Sequence, residues 1–94
     1  MRTIVYIPSP FLELTGRTRV VKIEGNTAGE VLDNLTQTFF PLRKHIYSDN
    51  GRLRSVVNVY VNEEDIKFLQ DENTILKEDD VIKIIPTIAG GSQD

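Results

Sequence analysis

The best helix signal in this chain lies between strand-like segments, and that order limits the folds open to it. The signal begins at Asn26 or Thr27. Thr27-Ala28-Gly29-Glu30 fits a capping box, in which the Thr hydroxyl accepts from the third helical N–H and the Glu side chain reaches back. Val31, Leu32, Leu35 and Phe39 follow on one stripe, with Asp33, Asn34, Gln37 and Thr38 mostly outside it. Pro41 should end or kink the helix, and Leu42 and Ile46 are placed on one further turn. A helix of about three turns has one apolar face to bury, and a sheet is the natural surface for it.

The segments on either side supply that sheet. "TIVYIP" (Thr3 to Pro8) has the β-branched and aromatic composition of a strand, with Val5 and Ile7 on one face and Ile4, Tyr6 and Pro8 on the other. Pro8 and Pro10 close it. A turn around Gly16 leads into "RVVKIEG", the return strand of a hairpin, with Val21 and Ile23 facing the core. After the helix, Asp49-Asn50-Gly51 is a strong loop signal. In "VNVYV" three valines, Val57, Val59 and Val61, alternate with polar or amphipathic residues. "NEED" is read as a tight turn at Asn62 and "IKF" as a short returning strand. "QDENTILKEDD" is read as a loop pinned by Ile75 and Leu76. "VIKIIP" (Val81 to Pro86), apolar on both faces except at Lys83, is placed centrally, beside and parallel to the first strand. This is an α+β plan, a mixed four- to five-stranded sheet with one main helix, and its order is that of the β-grasp (ubiquitin-like) fold. One domain over residues 1–86 and an arm over 87–94 account for the chain.

Composition excludes several classes of function. There is no cysteine, so disulfides, thiolate metal sites and cysteine nucleophiles are absent. A net charge of -3 argues against general nucleic-acid binding. No apolar run suits a signal peptide or a membrane span, so a soluble, cytoplasmic protein is expected. The charge is uneven: residues 1–60 hold eight Lys or Arg and five Asp or Glu, and residues 61–94 hold three and nine. Either the acidic runs are solvated loops, or they form an acidic face beside the C-terminal arm that steers a basic partner.

The chain closes "PTIAGGSQD", and Gly90-Gly91 has two readings. Termini are commonly loose. Alternatively, two glycines without Cβ form an arm thin enough to enter another protein's active site. β-grasp order, Gly-Gly soon after the last strand, and the block "VNVYVNEEDIKFL…LKEDDVIKIIPTIAGG" together resemble the MoaD/ThiS family of ubiquitin-like sulfur-carrier proteins, closest to the CysO type. The resemblance covers nearly all of Thr3 to Gly91. It implies that Gly91, as a C-terminal carboxylate with Gly90 beside it, is adenylated by an E1-like enzyme of the MoeB/ThiF type. Sulfur then replaces AMP to leave a thiocarboxylate, whose sulfur serves cysteine biosynthesis. Family members usually end at Gly-Gly. Here Ser92, Gln93 and Asp94 follow, so the resemblance implies cleavage between Gly91 and Ser92 by a JAMM-type zinc protease.

The implied acceptor is a cysteine-synthase-like PLP enzyme. ATP and PLP belong to these partners, and this chain is expected to bind no cofactor and to be no enzyme. Phe68, Ile85, Pro86 and Ile88 are the expected docking contacts. A molybdopterin synthase small subunit, a ubiquitin-like covalent modifier and a β-grasp interaction domain without tail chemistry are the alternatives. Among the remaining candidates, His45 has no nucleophile constellation and reads as a surface or helix-end residue. Glu63-Glu64-Asp65 and Glu78-Asp79-Asp80 lack an EF-hand spacing and read as solvated turns. Arg52 and Arg54 could bind phosphate or an acidic partner, but before a strand they read more readily as exposed edge charges. Phe11, Phe39, Phe40 and Phe68 belong to the core or to an interface, and an exposed one would mark the partner surface.

Overall fold

The computed structural model describes residues 1–87. Five strands, β1 (Arg2–Tyr6), β2 (Val20–Glu24), β3 (Val57–Val61), β4 (Glu64–Asp65) and β5 (Val81–Pro86), form one mixed sheet in the order β2-β1-β5-β3-β4. Helix α1 (Ala28–Thr38) covers one face, followed by the single-turn α2 (Arg43–Ile46). β1 and β2 pair antiparallel, β1 and β5 parallel, and β3 lies antiparallel to β5 and β4. The β-grasp plan and the central, parallel placement of the last strand are therefore as the sequence predicts. Alternation in the strands decides which residues meet the helix. Val5, Ile23, Val57, Val59, Ile82 and Ile84 are buried against Val31, Leu32 and Leu35.

The N-terminus of α1 is fixed by local chemistry. The Thr27 hydroxyl accepts from the Glu30 N–H at 3.1 Å. The Glu30 carboxylate accepts from the Asn26 N–H at 2.8 Å, one residue before the cap rather than at it. Gly25, at φ +153, makes the turn from β2 into the helix, and a Cβ there would meet Val31 Cγ2 at 2.7 Å. At the other end Pro41 lies in the 3₁₀ turn Phe40–Leu42, which runs into α2, and Leu42 and Ile46 are both buried. Phe39 departs from its stripe: it is the C-cap, at φ -119 and ψ 77, and only half-buried.

Three other segments differ from the sequence reading. The strand after the Asn62 turn is Glu64–Asp65, and Ile66–Phe68 is a 3₁₀ turn instead of a strand. The Asp65 carboxylate accepts from the Lys67 N–H at 2.9 Å and turns the chain away from the ladder. Ile75 does not pin its loop, being 69% exposed. Thr27 bridges Ile75, so Thr74 and Leu76 point inward instead, and their backbone holds the loop to the helix start. The Ala28 N–H donates to Thr74 O at 3.0 Å, and the Leu76 N–H to Asn26 O at 2.9 Å. Val21 is half-buried, because β2 is an edge strand. Between β1 and β2 the chain also inserts a 3₁₀ turn, Ser9–Leu14, that seats Phe11 and Leu12 in the core.

Candidate functional site

The C-terminal arm continues the central strand, so the sheet sets where it starts. Pro86 is opposite Val57 at the end of the β3–β5 ladder. The Thr87 N–H donates to Val56 O at 2.6 Å and carries the pairing one residue further. A polar chain on the surface adds to this: Lys67 Nζ donates to Asn58 Oδ1 at 3.2 Å, and Asn58 Nδ2 donates to Thr87 Oγ1 at 3.2 Å. The alternation in "VNVYV" makes the outward placement of Asn58 legible. Its partners are not, because Thr87 falls where the periodicity stops.

The sheet face away from α1 carries a band of partly apolar residues. Across it run Val20, Tyr6, Lys83 and Tyr60 in register, with Ile85 beside Asn58. Tyr6, Val20 and Ile85 are 41%, 47% and 48% exposed. Lys83 reaches Glu63 at 3.5 Å, an exposed pair that contributes little to stability. Val20 carried no signal in the sequence beyond strand composition. Its role in this band comes from the β1–β2 register.

Of the expected docking residues, Ile85 lies on this open face and Pro86 points to the opposite side of the strand. Phe68 is 84% exposed in the turn beyond β4. Ile88, Gly90, Gly91 and Ser92 lie outside the described residues. Of the four phenylalanines, Phe11 is buried, and both Phe40 and Phe68 are exposed. His45 stands exposed on α2 with its ring 5.6 Å from that of Phe11.

Of the acidic runs, Glu63, Glu78, Asp79 and Asp80 lie in the turns at the start of β5, and the arm leaves the other end of that strand; Asp65, Asp71 and Glu72 line a groove with Arg52, Arg54 and Val57. These carboxylates serve local roles: Asp80 accepts from Asn62 Nδ2 at 2.9 Å and from the Lys77 N–H at 2.8 Å. Among the described residues no group of three or more His, Asp or Glu could hold a metal ion. No helix there is long and apolar enough to cross a membrane. Near the arm root the charges are mixed: Arg52 and Arg54 are exposed and line a groove with Asp65, Asp71 and Glu72.

Among the described residues one ionisable group is strongly perturbed. Burial pushes the Tyr47 phenol up to about 12, and the carboxylates of Glu72 and Asp33 push the same way against Arg43. The Arg43 guanidinium lies 4.8 Å from the Tyr47 ring centre and bonds Asp33 at 3.1 Å. This cluster is structural, since it ties the end of α1 to α2.

Comparison with known proteins agrees with this architecture. The model of the ThiS family matches residues 5–91. The sulfur carrier protein CysO of Mycobacterium tuberculosis is 32% identical over 93 residues, covering 97% of this chain and all of that one. A chain in the crystal structure of the Amycolatopsis orientalis BexX/CysO complex superposes with a TM-score of 0.84 at 29% identity, over 95% of this chain and 99% of that one. The small archaeal modifier protein 1 of Methanosarcina acetivorans superposes at 0.88 with 26% identity, over 96% of each chain. With its β-grasp sheet, its central last strand and a family match reaching Gly91, this chain belongs to the ThiS family of ubiquitin-like sulfur-carrier proteins.

Proposed function

We propose that this chain carries sulfur on Gly91 as a C-terminal thiocarboxylate and delivers it for cysteine biosynthesis. Hydrolysis of the Gly91–Ser92 peptide bond by a JAMM-type zinc protease frees the carboxylate and releases Ser92–Asp94. An E1-like enzyme of the MoeB/ThiF type then joins that carboxylate to the α-phosphate of ATP, with pyrophosphate leaving. A sulfide sulfur displaces AMP and leaves the thiocarboxylate. A cysteine-synthase-like PLP enzyme accepts the sulfur, and hydrolysis returns the carboxylate. The chain supplies no catalytic group to these steps. Its own tasks are to present the arm and to dock.

The anchored end of β5 carries this reading. Gly91 is four residues beyond Thr87, a reach of at most about 14 Å, from a root fixed by backbone pairing and by Asn58. A fixed root limits the conformations the arm must give up on entering an active site. The open face, with Ile85 next to that root, is placed to dock as the arm enters. Similarity to the CysO relative favours cysteine biosynthesis over the molybdopterin synthase destination. A second reading, covalent attachment of Gly91 to lysines of other proteins, is favoured by the likeness to the archaeal modifier protein.

Intact-mass measurement of the protein from its own cells tests both. A species ending at Gly91 with one oxygen replaced by sulfur is expected. Lysine conjugates through Gly91 without that species would favour the modifier reading. A population that always retains Ser92, Gln93 and Asp94 would refute both.

A further inference from the structure

The polar contacts at the arm root run in a direction that the side chains themselves dictate. The Lys67 ammonium carries three donors and no acceptor, so the Asn58 atom it reaches at 3.2 Å is the amide oxygen. The amide nitrogen of Asn58 is thereby turned to Thr87 Oγ1, also at 3.2 Å, where it can only donate. The Thr87 hydroxyl accepts that bond and keeps its own hydrogen, for which no described residue supplies an acceptor. Lys67 is brought to this position by the 3₁₀ turn Ile66–Phe68, with Ile66 buried and the Asp65 carboxylate holding the Lys67 N–H. Asp65, Asp71 and Glu72 line a groove with Lys67, yet its ammonium makes no ion pair among the described residues and bonds a neutral amide instead. Asn58 is paired with Ile85, and Thr87 follows two residues later, so the three share the open sheet face.

We propose that Asn58, oriented by Lys67, is a positioning residue for the C-terminal arm: it fixes the Thr87 side chain and leaves the Thr87 hydroxyl as a donor to the enzyme that adenylates Gly91. The proposal rests on the carrier reading given above. One backbone bond, from the Thr87 N–H to Val56 O, is a single point about which the chain can turn, and the Asn58 contact supplies a second. Over a reach of about 14 Å, a swing of about 10° at this root moves the tip by about 2.4 Å. Misplacement of about 1 Å at a reacting centre can lower a rate about 100-fold. An amide suits the position and a carboxylate does not. Asn58→Asp would hold Lys67 more strongly, but the new carboxylate only accepts, so the Thr87 hydroxyl would turn its hydrogen inward and offer none to a partner.

The test measures pyrophosphate exchange by the MoeB/ThiF-type enzyme of the same genome with the carrier ending at Gly91, and separates KM for the carrier from kcat. Asn58→Ala and Asn58→Asp should each raise KM about tenfold, roughly the ordering of one further residue, with kcat within about twofold. Thr87→Val should do the same, and Thr87→Ser should keep the wild-type KM. Adding Asn58→Ala to Thr87→Val should raise KM no further, because Asn58 acts through Thr87. These side chains lie on the surface, so unfolding midpoints should stay unchanged. Additive losses in the double variant, or a wild-type KM for Asn58→Asp, would overturn the proposal. Three-bond couplings in the isotope-labelled full chain report the Thr87 χ1 rotamer without any enzyme. One rotamer is expected in the wild type and averaging in Asn58→Ala; averaging in both would overturn the proposal. No exchange with the wild-type carrier would refute the carrier reading instead, and the couplings would still decide whether Asn58 holds Thr87.

Discussion

Tyr47 makes the stability of this protein fall with alkali in a way one substitution should remove. Its phenol is pushed from an ordinary 10.0 to about 12, chiefly by burial. The folded state therefore holds the proton more tightly than the unfolded chain. Stability from this group is complete below about pH 10 and is lost as pH rises through 12. Two pKa units correspond to about 2.7 kcal/mol in total, and near pH 11 about half of that, ~1.4 kcal/mol, is already gone. For a domain of this size that is a fall of about 6–11 °C in Tm. Tyr47→Phe keeps the buried ring and its contact with Arg43 and removes the proton. The hydroxyl has no hydrogen-bond partner among the described residues, so the neutral-pH cost should be under about 1 kcal/mol. Thermal unfolding of both proteins at several values from pH 8 to about pH 11.5 cancels the titration of every other group in the difference. Convergence of the two curves, or a crossing, above pH 10 is expected. Parallel curves across that range would refute the reasoning and mean that Tyr47 is solvated in the folded state.

Gly25→Ala should destabilise by about 2–5 kcal/mol, from a positive φ and a contact of 2.7 Å with Val31 Cγ2; urea denaturation would measure it, and a loss under 1 kcal/mol would contradict the geometry. Thr27→Ala removes the acceptor for the Glu30 N–H and should cost about 1 kcal/mol by the same assay. Ile85→Asp should leave the unfolding midpoint within about 0.5 kcal/mol of wild type, because the side chain is half exposed. The same variant should weaken capture by the adenylating enzyme about tenfold or more in pyrophosphate exchange, and unchanged exchange would remove the open face from the docking surface.

The fold was legible where the sequence pattern and the local chemistry agree. Thr27 and Glu30 announce the helix start, and the valines of "VNVYV" assign β3 its faces. The errors fall where a polar side chain outweighs an apolar pattern. "IKF" has strand composition, yet the Asp65 carboxylate captures the Lys67 N–H and coils the segment. Ile75 and Leu76 are equally apolar, and only the bridge to Thr27 decides which one turns inward. The site was legible in part. Gly90 and Gly91 stand out by composition and position, while the hydrogen bonds from Lys67 through Asn58 to Thr87 join residues that no local pattern links.

The largest reversal concerns charge. In the sequence the acidic run Glu78-Asp79-Asp80 is the charged cluster nearest the arm, and the basic residues 43–54 are remote. A strand inverts that order. β5 carries the chain about 20 Å away from the acidic turns, at ~3.3 Å for each of its six residues. Its end is received by Val56, about thirty residues earlier in the chain and two residues after Arg54. The arm root therefore sits at the end of β5 opposite Glu78-Asp79-Asp80. Arg52 and Arg54 share a groove with Asp65, Asp71 and Glu72, so the linear order of charges does not predict which of them stand near the arm root.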